Sequence, residues 1–171
     1  MKSEAHPLVV IGLGANLGDR LATLEAALQA LEKLPGIAIV ARSSVWKTTP
    51  VGGPPQPDFY NAAVAVRSFL PLGELMRQLL SIEARFGRVR AERNAPRTLD
   101  LDILWVEGER VTILAPDVPE LEVPHPRLHE RAFALIPLLE VAPGATEPAT
   151  GKLYATILAE LGTEGVAPLD S

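Results

Sequence analysis

The sequence contains no cysteine, which excludes disulfides, zinc–thiolate sites and thiol catalysis. Aromatic residues make up only 5% of the chain. No apolar run approaches the ~20 residues that cross a bilayer, and residues 1–7 are polar and lack the apolar core of a signal peptide. We therefore expect a cytoplasmic protein with no membrane partner.

An excess of positive charge is also missing. The formal net charge is −5, whereas a dedicated nucleic-acid-binding protein shows a basic excess, so we expect no nucleic-acid partner. Hydrophobic residues make up 47% of the 171 residues, enough for a packed core. This length suits a single domain spanning residues 1–171, and we expect it to be a monomer.

Apolar periodicity predicts four strands, at residues 8–13, 37–46, 60–69 and 99–106. Two helices lie between them, with Pro71 at the first position of the second helix. Their predicted buried stripes are Leu17, Leu21, Leu24, Leu28 and Leu31, and then Leu72, Leu75, Met76, Leu79 and Ile82. A short strand at 110–114 and helices at 127–140 and 153–161 follow. The order β-α-β-β-α-β predicts an α+β, ferredoxin-like antiparallel sheet with an extra hairpin and C-terminal helices.

The glycines of Gly12-Leu13-Gly14 do not complete a nucleotide-binding fingerprint. Leu17 stands where GxGxxG needs glycine, and no GK[ST] follows, so neither a Rossmann motif nor a P-loop is present. We predict a tight strand-to-helix turn at these glycines. Gly14 would also let a flat ligand approach the backbone closely.

Two acidic residues alternate with apolar ones in the fourth predicted strand. Asp100 and Asp102 should share one face, roughly 6.6 Å apart at Cα, while Leu99, Leu101 and Ile103 point to the other. Carboxylates this close repel each other unless a cation lies between them, and Mg²⁺ prefers such oxygen ligands. A half-solvated strand with polar residues facing water is the alternative interpretation.

Four arginines and no lysine lie in a predicted long loop at residues 87–97, directly before the acidic pair: Arg88, Arg90, Arg93 and Arg97. Guanidinium groups bind phosphate through a planar fork that lysine cannot provide. Together with the carboxylates, they favour a metal–polyphosphate site under a closing loop. A solvated charged face is the alternative.

Three further residues suit ligand binding but also have structural explanations. His125 is fixed between Pro124 and Pro126 and is suited to donate to a phosphate, although a lone histidine is often structural. Phe133 offers either a stacking surface or a core side chain. Asn61, in a strand, offers a donor and an acceptor to a heterocycle edge, or it satisfies a turn.

Read together, several segments resemble the 6-hydroxymethyl-7,8-dihydropterin pyrophosphokinase family of folate biosynthesis over nearly the whole chain. The segments are Gly14-Ala15-Asn16-Leu17-Gly18, Gln56-Pro57-Asp58-Phe59-Tyr60-Asn61-Ala62-Ala63, Gly87-Arg88, Pro96-Arg97-Thr98-Leu99-Asp100-Leu101-Asp102, and Val123-Pro124-His125-Pro126 with Arg131 and Phe133. Each segment alone is modest, whereas all of them in this order are highly specific.

The resemblance implies transfer of the β,γ-diphosphate of ATP to the hydroxymethyl group of 6-hydroxymethyl-7,8-dihydropterin, leaving AMP. It implies that Asp100 and Asp102 hold two Mg²⁺ ions and, with Arg88 and Arg97, carry catalysis. The implied nucleotide-binding residues are Glu83, Arg90, Ile103, His125 and Arg131. The implied pterin-binding residues are Gly14, Thr48, Thr49, Val51, Phe59, Asn61 and Phe133.

The chain departs from the family pattern in its arginine-containing loop. Many relatives carry Trp-Gly where this chain has Asn94-Ala95. Two other functions remain open at this point. One is a different Mg²⁺-dependent nucleotide or phosphoryl transferase on the same scaffold. The other is a non-enzymatic ligand-binding module of ferredoxin-like fold.

Overall fold

A computed structural model describes residues 6–50, 55–86 and 98–169. Its elements in chain order are β1 Leu8–Ala15, α1 Arg20–Glu32, β2 Ile37–Arg42, β3 Trp46–Thr48, β4 Phe59–Ser68, α2 Leu72–Arg85, β5 Asp100–Val106, β6 Val111–Ile113, β7 Leu121–Val123, a 3-10 turn Leu128–Glu130, α3 Ala132–Val141, α4 Tyr154–Leu161 and β8 Val166–Pro168. Within these ranges, no helix has both the length and the apolar run that a membrane crossing needs.

Six strands form one antiparallel sheet in the order β5-β1-β4-β3-β8, with β2 pairing beside β3 on the same edge of β4. Strand β4 lies between β1 and β2, which α1 connects, and β1 lies between β4 and β5, which α2 connects. Each helix therefore crosses over an intervening strand, as in a ferredoxin-like fold, and this prediction is confirmed. Strands β6 and β7 pair in a separate hairpin.

The sheet is covered on both faces, because alternate residues of its central strands are buried on opposite sides. Val9, Ile11 and Leu13 pack with α1 and α2 in one core. Val10 and Ala63 pack with α3 and α4 in a second core on the other face. The predicted C-terminal helices therefore close the face that the first two helices leave open.

The buried stripe of α1 starts at Leu24, two turns later than its leucine spacing predicts. Asp19 caps the helix, its side chain accepting a hydrogen bond from the Ala22 N–H at 3.1 Å. Leu17 thus precedes the helix and Leu21 falls in its first turn, and these side chains are 37% and 42% exposed. The buried residues are Leu24, Ala27, Leu28 and Leu31. The stripe of α2 is confirmed, although Pro71 is its N-cap rather than its first residue.

The turn predicted at Gly12 and Gly14 is wrong. Strand β1 continues to Ala15, and the chain turns at Gly18, whose φ of 66° suits glycine. Gly12 is instead a packing position: a Cβ there would lie 2.9 Å from Cδ1 of buried Leu104.

The strand predicted at residues 37–46 is divided into β2 and β3 by a short connection. Ser43 replaces the lost ladder contacts there: its N–H donates to the Ala63 carbonyl at 2.9 Å, and its hydroxyl accepts from the Ala63 N–H at 2.9 Å. The helix predicted at 127–140 is also divided, since Arg131 takes an extended conformation between the 3-10 turn and α3. Strands β7 and β8 were not predicted.

We expect Gly12→Ala to lower the free energy of unfolding by about 1–3 kcal/mol, because the added methyl group overpacks Leu104. Urea denaturation measures the change. Gly144→Ala is the matched control, since a Cβ at Gly144 meets nothing within 4 Å. An unchanged urea midpoint for Gly12→Ala would show that Leu104 adjusts without cost.

Candidate active site

One residue from each of four strands forms a single row across the sheet. Gly14 of β1 pairs with Asn61 of β4 on one side and with Asp100 of β5 on the other. Trp46 of β3 pairs with Asn61 and extends the row. Directly opposed residues in antiparallel strands present their side chains on the same face. The row therefore joins an acidic residue, a bare glycine and an amide on one surface, which we call the register row.

The acidic pair faces the way its alternation predicts. Leu101 and Ile103 are fully buried in the core with α1 and α2, while Asp100 and Asp102 are partly exposed on the opposite face. Asp102 pairs with Gly12, two residues along each strand from the register row and therefore on the same face. Ile103 thus turns its side chain away from this face, and its predicted contact with the nucleotide is possible only through its backbone.

Within the described ranges, no cluster of three or more histidine, aspartate or glutamate side chains forms a complete metal site. Two neighbouring carboxylates nevertheless suit Mg²⁺. This ion keeps several waters and binds one or two protein carboxylates together with substrate phosphates. Asp100 and Asp102 therefore fit an ion whose remaining ligands come from a polyphosphate.

Glu83 holds the strand that carries the acidic pair. Its side chain, on α2, is only 2% exposed, and Oε2 accepts a hydrogen bond from the Leu101 N–H at 2.6 Å. Because β5 is the outermost strand on this side of the sheet, its outward N–H needs a partner from outside the sheet. Glu83 supplies it between the two aspartates.

A hydrogen bond fixes the amide of Asn61 above the bare backbone of Gly14. Asn61 Nδ2 donates to Thr48 Oγ1 at 2.7 Å, and both side chains are buried. The amide oxygen points the other way, since a Cβ on Gly14 would lie 3.1 Å from Asn61 Oδ1. Gly14 has no positive φ, so the close approach of Asn61 is what disfavours a side chain there.

Two residues for which no role was predicted anchor the segment before β4. Asn16, fully buried, donates from Nδ2 to Gln56 Oε1 at 2.6 Å and to the Pro57 carbonyl at 3.2 Å. Arg20 donates to the Asp58 carbonyl at 2.7 Å, and its guanidinium lies 4.1 Å from the centre of the Tyr60 ring. These contacts set where β4 begins, and with it the partly exposed Phe59. An asparagine directly after an apolar strand was the available signal in the sequence.

His125 is held beside the acidic pair by its own backbone. Its N–H donates to the Leu104 carbonyl at 2.9 Å, and its ring Nδ1 accepts from the Arg127 N–H at 3.1 Å. In the neutral ring the proton therefore sits on Nε2. Burial lowers the pKa of His125, and Arg131 lowers it further, while Asp100 opposes them.

Arg131 lies close enough to Asp102 and Asp100 for both carboxylates to raise its pKa, against the stronger lowering by burial and by Arg127. Its guanidinium is 5.7 Å from the centre of the Phe133 ring. The structure thus brings His125, Arg131 and the acidic pair together at one end of α3. Two cationic or donor groups facing two carboxylates suit a ligand that carries both phosphate and metal.

The remaining predicted residues have mixed outcomes. Thr49 is exposed, and its N–H donates to the Gly165 carbonyl at 3.1 Å. Val51, Arg88, Arg90 and Arg97 lie outside the described residues. Their predicted roles stay predictions.

The profile of the 7,8-dihydro-6-hydroxymethylpterin-pyrophosphokinase (HPPK) family matches residues 10–143. The chain belongs to this family. The resemblance inferred from the sequence segments is therefore confirmed.

Curated relatives carry the name 2-amino-4-hydroxy-6-hydroxymethyldihydropteridine pyrophosphokinase. The protein of Synechocystis sp. is 40% identical over 160 residues, covering 94% of this chain and 79% of that protein. The protein of Methylorubrum extorquens is 42% identical over 156 residues, covering 91% and 94%.

Solved structures of similar fold include the wild-type HPPK-DHPS of Plasmodium falciparum. It matches with a TM-score of 0.70 and 14% identity, over 98% of this chain and 49% of that one. The chain thus spans about half the length of that protein. At this identity the match supports the ferredoxin-like fold alone.

We expect the His125 ring of the metal-free protein to titrate below its ordinary value of 6.5, and Arg131→Gln to raise the midpoint. Since the lowered pKa belongs to the folded state, the unfolded chain binds more protons below pH 6.5. His125 therefore makes stability fall as the pH decreases through that range.

NMR titration of the His125 ring protons measures both midpoints. Arg42→Gln is the control, because it removes an arginine that pairs with Glu25. A midpoint that is the same in Arg131→Gln and wild type would contradict the placement of this guanidinium beside the ring.

Proposed function

We propose that the protein transfers the β,γ-diphosphate of ATP to the hydroxymethyl group of 6-hydroxymethyl-7,8-dihydropterin, a step of folate biosynthesis. The alcohol oxygen forms a bond to the β-phosphorus, and the bond from that phosphorus to the α,β-bridging oxygen breaks. The alcohol loses its proton, AMP leaves, and the pterin carries the diphosphate. The observation that carries this proposal is the register row of a chain in the HPPK family.

The register row offers a floor and an edge for a flat heterocycle. Gly14 leaves the backbone bare, and the fixed amide of Asn61 presents its oxygen beside it. A pterin lying over Gly14 would meet Asn61 at one edge and point its hydroxymethyl group toward Asp100. We propose that Thr48, Thr49, Val51, Phe59 and Phe133 complete this pocket, with the two aromatic rings offering stacking surfaces.

The triphosphate would lie against the acidic pair. We propose that Asp100 and Asp102 hold two Mg²⁺ ions, which neutralise phosphate charge and orient the reacting oxygens. His125 would donate from Nε2 to a phosphate oxygen, and Arg131 would bind phosphate from the same side. Such transfer depends on positioning and charge rather than on a protein nucleophile.

The remaining proposed contacts come from the family resemblance. Glu83, Arg90 and the backbone of Ile103 would line the nucleotide pocket, and Arg88 and Arg97 would stabilise the transferred phosphates. We propose that the enzyme works as a cytoplasmic monomer.

We expect incubation with ATP, Mg²⁺ and the hydroxymethylpterin to yield AMP and the pterin diphosphate. Asp100→Asn and Asp102→Asn should each lower turnover about 100-fold or more, because each removes a carboxylate that would hold Mg²⁺ against the phosphates. Chromatography of the nucleotide products measures the rate.

Asp117→Asn is the matched control for this assay, since Asp117 pairs with Arg77 beside the β6–β7 hairpin. It should leave turnover unchanged. ADP as the product would indicate a different phosphoryl transferase, and normal turnover in both aspartate variants would contradict the proposed metal site.

We expect Gly14→Ala to weaken pterin binding about tenfold, equivalent to ~1.4 kcal/mol. The added methyl group would stand in the floor of the pocket and press on Asn61 Oδ1, which lies 3.1 Å from the Cβ position. Equilibrium titration of pterin fluorescence measures the dissociation constant, and Gly144→Ala is the control. Unchanged pterin affinity would place the heterocycle elsewhere.

A further inference from the structure

Strand β3 carries Thr48, the partner of the Asn61 amide, yet it is only three residues long. So short a strand makes few ladder hydrogen bonds, and its position depends on contacts at its ends and edges. On its inner edge it pairs with β4, and on its outer edge with β8. Two further hydrogen bonds flank the strand. The Thr49 N–H donates to the Gly165 carbonyl at 3.1 Å, and the Leu169 N–H donates to the Val45 carbonyl at 3.1 Å.

A carboxylate from another element holds the start of this strand. Glu140, in the last turn of α3, accepts three hydrogen bonds from Ser44, which lies between β2 and β3, and from Trp46, the first residue of β3. Oε1 accepts from the Trp46 indole Nε1 at 2.7 Å and from the Ser44 N–H at 3.1 Å. Oε2 accepts from the Ser44 hydroxyl at 3.0 Å. Hydrogen bonds to a charged acceptor are stronger than neutral ones.

These contacts lead directly to the proposed pterin pocket. Trp46 is the register partner of Asn61 and lies two residues before Thr48, so all three side chains share a face. A shift of Trp46 would move Thr48, and the Asn61 amide would lose its fixed orientation.

Helix α3 connects the wall of the pterin pocket formed by Trp46, Thr48 and Asn61 to the phosphate side of the site. Arg131 and Phe133 lie at its start, and Glu140 lies in its last turn. A helix rises 1.5 Å per residue, so roughly 10 Å along the axis separates Phe133 from Glu140. One element thus carries residues of both halves of the site.

We propose that Glu140 is a positioning residue for the pterin, acting through Ser44 and Trp46 on the pair formed by Thr48 and Asn61. This inference rests on the proposed function. Glu140 itself lies on the surface, outside the buried cores. It therefore acts on β3 through its three hydrogen bonds and not through core packing.

Glu140→Ala tests the proposal, because alanine keeps the helix and removes all three bonds. We expect the pterin dissociation constant to rise about tenfold, with that of a non-hydrolysable ATP analogue with Mg²⁺ unchanged. Glu140→Gln, which keeps one acceptor oxygen for Trp46 and the Ser44 N–H, should restore part of the affinity. Trp46→Phe removes only the indole donor and should give a smaller loss.

Glu160→Ala is the matched control, since Glu160 is an exposed helix glutamate that pairs with Lys152. NMR of the ligand-free protein adds a direct readout: the Asn61 side-chain amide resonances should shift in Glu140→Ala and stay in place in Glu160→Ala.

The outcomes separate the two proposals. A wild-type protein that binds no pterin and makes no AMP contradicts the proposed function. Wild-type pterin affinity in Glu140→Ala, or equal losses for pterin and nucleotide, contradicts the positioning role alone. Unshifted Asn61 resonances in Glu140→Ala contradict it as well.

Discussion

The antiparallel register of β5, β1, β4 and β3 is the constraint on which the site depends. It places Asp100, Gly14, Asn61 and Trp46 opposite one another on a single face. Adjacent strands lie about 4.8 Å apart, so roughly 10 Å of nearly bare backbone separates the acidic strand from the amide strand. Because a one-residue slip would turn every side chain of a strand to the other face, this register is tied to the burial of Leu101 and Ile103 beneath it.

The two faces of the sheet have different roles: one holds the strands in register, and the other carries the site. The face under α1 and α2 is packed with large aliphatic side chains, which hold the strands in register. On the opposite face, α3 and α4 cover the strands around Val10 and Ala63. The partly exposed Asp100 and Asp102 lie beyond that cover. The acidic part of the site therefore lies on a sheet that is stabilised elsewhere, and its two carboxylates need not contribute to the core.

Local pattern predicted the direction of side chains but not their partners. Alternation around Asp100 and Asp102 was enough to predict their face, and the leucine spacing of α2 was enough to predict its buried stripe. Leucine spacing misled at Leu17 and Leu21, because it cannot show where a helix begins. The glycines of β1 were misinterpreted because glycine serves close packing as well as turns.

Contacts between distant residues left no local trace in the sequence. Asn16 bonds a residue 40 positions away, and Glu140 bonds an indole 94 positions away. Such bonds depend on how elements pack, which periodicity does not encode. Strand β8 was missed for the same reason, since a segment of three residues forms a strand only when it can pair with the free edge of a neighbouring strand.

That late strand has a consequence for how the protein assembles. Strand β8 pairs with β3, although more than a hundred residues separate them in the chain. Contacts of such long sequence separation form slowly, because the loop they close must first lose its entropy. During synthesis the ribosome makes β3 early and β8 late, so the outer edge of β3 stays unpaired until nearly all of the described chain has emerged. The wall beside Asn61 is thus among the last parts of the sheet to become complete, and a partly synthesised chain does not yet have it.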